Sequence, residues 1–221
     1  MKNPWLNLQR ESPYLLEEDK ERFYQIVNLR NNVDLKLIPE AFVGDVESAE
    51  VIFLISKASI NWQDFAWHEN DHFKDFCFRS LHQEKLNTPF FFFDESVKDS
   101  PASQWWASKL YKVVEQTSKE RVAQKIAVIP FLPYHSSKQP SLSLLREEKT
   151  LPSQLYTKHI VDSALKRGAL IVIMNGPWLE FMPQLRNKGN VLEVNSRNNP
   201  VLSHNNFDNP KDFDKIIKRL K

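Results

Sequence analysis

Four short stretches combine hydrogen-bonding amides and hydroxyls with groups that can hold a proton or a charge. They are "SKASINWQD" at 56–64, "PYHSSKQP" at 133–140, "NGPW" at 175–178 and "NSRNNPVLSHNN" at 195–206. Asn, Ser and His side chains both donate and accept, which suits the edge of a nucleobase or another amide-bearing ring. Lys57 and Lys138 offer cations to a phosphate. Trp62, Tyr134, Trp178 and the Phe run at 90–93 offer faces on which a base could stack.

Each stretch ends or follows an apolar run: "VIFLI" at 51–55, "KIAVIPFL" at 125–132, "ALIVIMN" at 169–175 and "NVLEVN" at 190–195. Short continuous apolar runs rich in β-branched residues read as buried strands. Pro130 cannot donate to a sheet ladder, so the second strand is expected to end or bulge there. Helical patterns fill the intervals. Phe65, Phe73, Phe76 and Leu81 recur at helical spacing within 61–86, and Trp106, Leu110, Val113 and Val114 form a stripe within 101–120. The segment 151–168 has Ser153 as a candidate N-cap and Gly168 at its end. The segment opened by Pro177 should break at Pro183, and "PKDFDKIIKRLK" closes the chain as an amphipathic helix.

Strands alternating with helices imply an α/β fold, three-layered, with a central four-stranded parallel sheet. The chain reads as one domain, 1–221, with the polar segment 1–46 a helical unit packed on it. Glu17, Glu18 and Asp19 enrich the first turn of that unit, where acids complement the helix dipole. In open parallel sheets ligands bind beyond the carboxyl ends of the strands, which is where the four polar stretches fall.

Composition narrows the chemistry. The 221 residues carry a formal net charge of +2, so any basic nucleic-acid surface must be local. The four glycines are scattered, which excludes a dinucleotide-binding glycine turn and a phosphate loop. The one cysteine, Cys77, reads as a buried apolar residue. His68 and His72 are spaced four apart without a third ligand, and read as a solvated helix face rather than a metal site. No cofactor is implied. With no apolar leader and no long apolar stretch, the expectation is a cytoplasmic protein without membrane contact.

The loops resemble those of the uracil-DNA glycosylase superfamily. "NNPVLS" at 198–203 is similar to that family's final motif, NPSGLS in one branch, through Asn199, Pro200, Leu202 and Ser203. "NPWLNL", "PYLLEED", "PEAFVGD", "WW", "PYHS" and "LPSQ", at 3–8, 13–19, 39–45, 105–106, 133–136 and 151–154, resemble in content and order a set of bacterial glycosylase-like proteins. The family's first motif, GxNPG in one branch, falls on "LISKASI", where Lys57, Ala58 and Ser59 replace Asn, Pro and Gly.

The resemblance implies a uracil-DNA-glycosylase-like fold and a monomer that binds DNA, either single-stranded or duplex with a flipped base, with a role in base-excision repair. It implies hydrolysis of the N-glycosidic bond of an unusual or modified base. In that scheme His135 or His204 meets the leaving base, and Asp64 or Asn199 positions the water. Tyr134, Phe92, Asn175 and Asn199 hold the base. Lys57, Ser136, Lys138, Ser203 and Asn205 contact the DNA. The altered first motif implies the alternative of a glycosylase-fold nucleic-acid or nucleobase-binding module that has lost its chemistry. Lys57 would then hold a phosphate, or act as a nucleophile if its pKa were lowered.

Overall fold

The computed structural model describes residues 1–195 and 201–221. Its four strands are β1 (Val51–Lys57), β2 (Ile126–Leu132), β3 (Leu170–Ile173) and β4 (Val191–Glu193). They form one parallel sheet in the order β2-β1-β3-β4. The helices are α1 (Glu17–Gln25), α2 (Val27–Asn32), α3 (Asp64–Glu69), α4 (Asp71–His82), α5 (Pro101–Gln116), α6 (Lys119–Lys125), α7 (Pro152–Lys166), α8 (Trp178–Phe181) and α9 (Lys211–Leu220). Among the described residues no helix is long and apolar enough to cross a membrane.

Both faces of the sheet are covered. Phe53 of β1 meets Trp106 of α5, and Phe131 of β2 meets Trp178 and Phe181 of α8. Phe53 is in register with Val128, three residues before Phe131. An odd offset puts the two phenylalanines on opposite faces, because side chains alternate along a strand. That double burial explains the unbroken apolar runs of β1 and β2. The last helix buries Phe213, Ile216, Ile217 and Leu220, an i, i+3, i+4, i+7 stripe. The four phenylalanines at 90–93 are all core.

Three sequence expectations change. First, Pro130 lies inside β2, opposite Ile55, and the strand runs on to Leu132. The N–H and C=O of Val128 point away from β1, to Val43 at 2.8 and 3.0 Å. Two residues on, Pro130 presents its missing N–H to that same outer edge, where no ladder bond is lost. Second, the segment 61–86 is two helices, because the Asn70 side-chain Oδ1 accepts from Phe73 N–H and restarts the helix there. Third, Ser153 is not the cap of α7. Gln154 Oε1 accepts from Leu151 N–H, and Ser153 turns inward to Asp19.

Asp19 is the reason the first 46 residues belong to the domain. It is fully buried rather than a dipole partner at the surface, and accepts from Ser153 N–H at 2.9 Å, Ser153 Oγ at 2.6 Å and Tyr134 Oη at 2.6 Å. Tyr134 Oη in turn accepts from Leu16 N–H at 3.3 Å. Burial pushes the Asp19 carboxyl up in pKa, and the donors from Ser153 and Tyr134 pull it part of the way back. Removing the carboxylate would strand three buried donors. Asp19→Ala should lower stability by about 2–4 kcal/mol, and Tyr134→Phe by about 1 kcal/mol. Urea unfolding measures both, through a fall in the midpoint at constant slope.

Candidate active site

The carboxyl end of β1 opens into a cavity of about 150 Å³. A void of that size holds one aromatic ring. Glu40, Lys57, Ser59, Asn61 and Asp64 supply its polar lining, and Trp105 and Trp106 its aromatic wall. The indoles meet edge to face at 4.6 Å, which presents a rigid apolar corner to a planar guest.

Glu40 arrives from the N-terminal segment. Residues 40–43 run along the outer edge of β2, through a Val43–Val128 antiparallel bridge and a bond from Glu40 N–H to Pro133 O at 2.8 Å. Gly44 makes this close approach possible. Its φ is +103°, and a Cβ there would lie 2.4 Å from the Ile126 carbonyl oxygen. Asp64 opens α3 and is folded into a turn. Its Oδ2 accepts from Asn61 N–H at 2.6 Å, and its own N–H donates to Asn61 O at 3.0 Å.

The two carboxyls are driven apart in proton affinity. Burial, with the nearby Asp64 charge, pushes Glu40 up to about 8. Burial raises Asp64 too, but the Asn61 N–H favours its ionised form. At neutral pH Glu40 therefore carries a proton, and Asp64 is the first of the pair to ionise. Two titratable groups separated in this way are the usual arrangement for an acid and its partner base. Lys57 is in reach of neither at ion-pair distance among the described residues. Its Nζ donates to Ser59 Oγ at 3.2 Å, and burial lowers its pKa.

The expected site residues divide sharply. Asp64 and Lys57 line the cavity. His135 lies behind it, 3.5 Å from Glu40 Oε1 and with Nδ1 2.9 Å from the Ser59 carbonyl, so it meets Glu40 rather than a base. Asn175 stands at the adjacent strand end, but its Oδ1 is occupied by Ser56 N–H at 2.6 Å. Gly176 presses against Ser56 there, with φ +98°.

Several assignments are corrected. Tyr134 is 1% exposed, with its hydroxyl spent on Asp19, so it presents no face to a base. Phe92 is 2% exposed, packed against Phe90 and Phe91. Trp178 is buried and donates to Ile55 O at 3.0 Å, which makes it a strut for β1. Ser136 is turned inward, its Oγ donating to Lys138 O at 2.9 Å, and leaves Ser137, Lys138 and Gln139 as the exposed residues of that loop. His204 pairs with Asp214 at 2.9 Å beside Phe213. Ser203, His204 and Asn205 share a surface hollow with Lys112 and Glu115. Those two residues lie seven to ten positions along α5 from Trp105, roughly 10–15 Å at the helical rise. This group is therefore a second place on the surface, away from the cavity. Asn199 lies outside the described residues.

His68 also departs from expectation. It is 4% exposed, its Nδ1 accepts from Ile38 N–H at 2.9 Å, and its pKa is held well below the ordinary value, by burial first. His72 lies at the surface against Ser96 Oγ. Among the described residues no group of three His, Cys, Asp or Glu side chains could hold a metal ion.

Glu40 had one sequence signal: a single acid inside "LIPEAFV", between residues that can only be core. Its raised pKa makes a prediction. A carboxyl with a folded pKa near 8 binds a proton that the unfolded chain has already released. Its stabilising effect is complete below the unfolded value, about 4.5, and is lost as pH rises toward 8. The slope is at most about 1.4 kcal/mol per pH unit. Wild-type stability minus that of Glu40→Gln should fall through this window and level off above it; a flat difference by chemical unfolding would contradict the assignment.

Comparison of the chain with protein-family models, curated proteins and solved structures finds no match in any of the three, so the reading of this cavity rests on its own geometry.

Proposed function

We propose that the protein hydrolyses the N-glycosidic bond of an unusual or modified base in DNA, taking the extruded base into the cavity between Glu40, Asp64, Trp105 and Trp106. The observation that carries this reading is the pair of carboxyls with divided proton affinities in a ring-sized, tryptophan-walled cavity at the carboxyl edge of the sheet. The resemblance of the loops to those of DNA glycosylases supports the choice of bond.

In this scheme the base stacks in the tryptophan corner and Glu40 acts as general acid. As the C1′–N bond breaks, its electron pair leaves on the base and the Glu40 proton neutralises it. The Asp64 carboxylate faces the oxocarbenium-like sugar, orients a water for addition at C1′ and takes that water's proton. Lys57 and Lys138 hold flanking phosphates. Trp62, 80% exposed and two residues before Asp64, offers a face to a neighbouring base.

A second reading, a base-binding module without hydrolysis, is favoured by Lys57, whose cation at the cavity opposes a developing positive charge on the sugar. Duplexes and single strands carrying uracil, other deaminated bases and alkylated bases decide between the two, with release followed by mass spectrometry. Release that falls about 100-fold or more in Glu40→Gln and Asp64→Asn is the expected result. Binding without release favours the second reading. Full activity in both variants would remove the carboxyl pair from the mechanism.

A further inference from the structure

Behind Glu40 lies a buried imidazole whose hydrogen bonding is half complete. The His135 side chain is 3% exposed, and its Nδ1 lies 2.9 Å from the Ser59 carbonyl oxygen. A carbonyl only accepts, so Nδ1 carries the proton. In a neutral ring, Nε2 is then a lone-pair acceptor. Among the described residues this buried atom has no hydrogen-bond partner, and it lies 3.5 Å from Glu40 Oε1. A buried acceptor without a donor is costly. The Glu40 carboxylic acid can supply that donor, and a small rotation of its carboxyl closes the gap.

We propose that Glu40 and His135 form a buried proton-sharing dyad, in which His135 is a positioning residue: its Nε2 accepts from the Glu40 acid in the resting site, and the carboxyl turns that O–H to the guest when one enters the cavity.

The surroundings favour one proton on the pair. Burial drives the His135 pKa down to about 4, against the pull of the Ser59 and Ile38 carbonyls and of Asp34, and Lys57 adds to the depression. The His68 ring stands edge-on at 5.0 Å and is itself neutral by burial. On the Glu40 side Asp64 opposes a second negative charge, and the Cys77 thiol is pushed well up by burial and by Glu40. An imidazolium here would be desolvated, and a Glu40 carboxylate would face both Asp64 and a lone pair. The neutral acid bonded to a neutral imidazole avoids both.

The dyad also accounts for the separation of roles. Glu40 lines the cavity and touches the guest, whereas His135 does not. When Glu40 gives its proton to the leaving base, the proton that Asp64 takes from the attacking water restores the Glu40 acid, and the His135 lone pair then accepts from that acid again. As a catalytic device the dyad rests on the function proposed above; its geometry does not.

The tests use the full-length protein. Nitrogen-15 NMR of histidine-labelled wild type should show His135 neutral with the proton on Nδ1 from about pH 5 to about pH 8. A proton on Nε2 would overturn the proposal. Infrared difference spectra against Glu40→Gln isolate the Glu40 acid carbonyl. His135→Asn keeps a donor for Ser59 but removes the Nε2 acceptor, and should lower the midpoint of that band by roughly one pH unit. His135→Gln places an oxygen where Nε2 stood and should restore it. An unchanged midpoint in His135→Asn would also overturn the proposal. If that variant fails to fold, the wild-type tautomer decides alone. The two ideas fail separately. A protein that releases no base but shows the Nδ1 tautomer and the shifted band keeps the dyad and loses the hydrolase. An active enzyme with an Nε2 proton loses only the dyad.

Discussion

The outer edge of β2 is the constraint on which the site depends. An edge strand leaves backbone donors and acceptors unpaired, and they must find partners. Here the segment from Val33 to Val43 provides them, with antiparallel bridges at Val33–Ser136 and Val43–Val128 and a bond from Glu40 N–H to Pro133 O. The same pairing carries Glu40 across the top of the strand into the cavity. Covering a sheet edge and delivering a carboxyl are thus one structural act. Asp19, Tyr134 and Ser153 anchor the segment from its other end, in a network where every buried polar atom of the carboxylate is satisfied. Pro130 fits the arrangement because its missing donor faces the one edge where the covering chain makes few demands.

The cavity is an electrostatic compromise of three titratable side chains with two neutral rings behind them. Burial and the nearby Asp64 charge oppose a charge on Glu40, so it keeps a proton. Asp64 has the Asn61 N–H and yields first. Among the described residues Lys57 is drawn partly out of water with no anion at ion-pair distance, which leaves it available to a phosphate or to a ligand. His68 and His135 are neutral because the cost of burying a cation outweighs the attraction of the groups around them. Environment, rather than residue type, divides the roles.

Much of the frame was legible in the chain. All four strands fall on the four apolar runs: β1, β2 and β3 are buried on both faces and so continuously apolar, while the short edge strand β4 ends on the exposed Glu193. Lys57 and Asp64 were legible because Lys57 ends β1 and Asp64 closes the loop that follows it. Two of the errors share a cause. Tyr134 and Ser136 sit in the right loop, but a polar or aromatic side chain near a strand end can turn inward as readily as outward. Local sequence does not say which. Phe92 belongs to an aromatic run that is wholly core. His204 failed for another reason: it pairs with Asp214 of α9, beside Phe213 and the Lys112–Glu115 end of α5, and so sits away from the cavity.

The sequence by itself determined the parallel α/β frame, the buried aromatic core and the edge of the sheet that carries the candidate site, because periodicity and turn chemistry are written in neighbouring residues. Only the tertiary structure decided the composition of the site. Glu40, Asp64, His135, Trp105 and Trp106 come from segments far apart in the chain and meet only once the N-terminal segment is laid along β2. Their proton affinities depend on burial and on each other, and neither exists until the chain has closed around them.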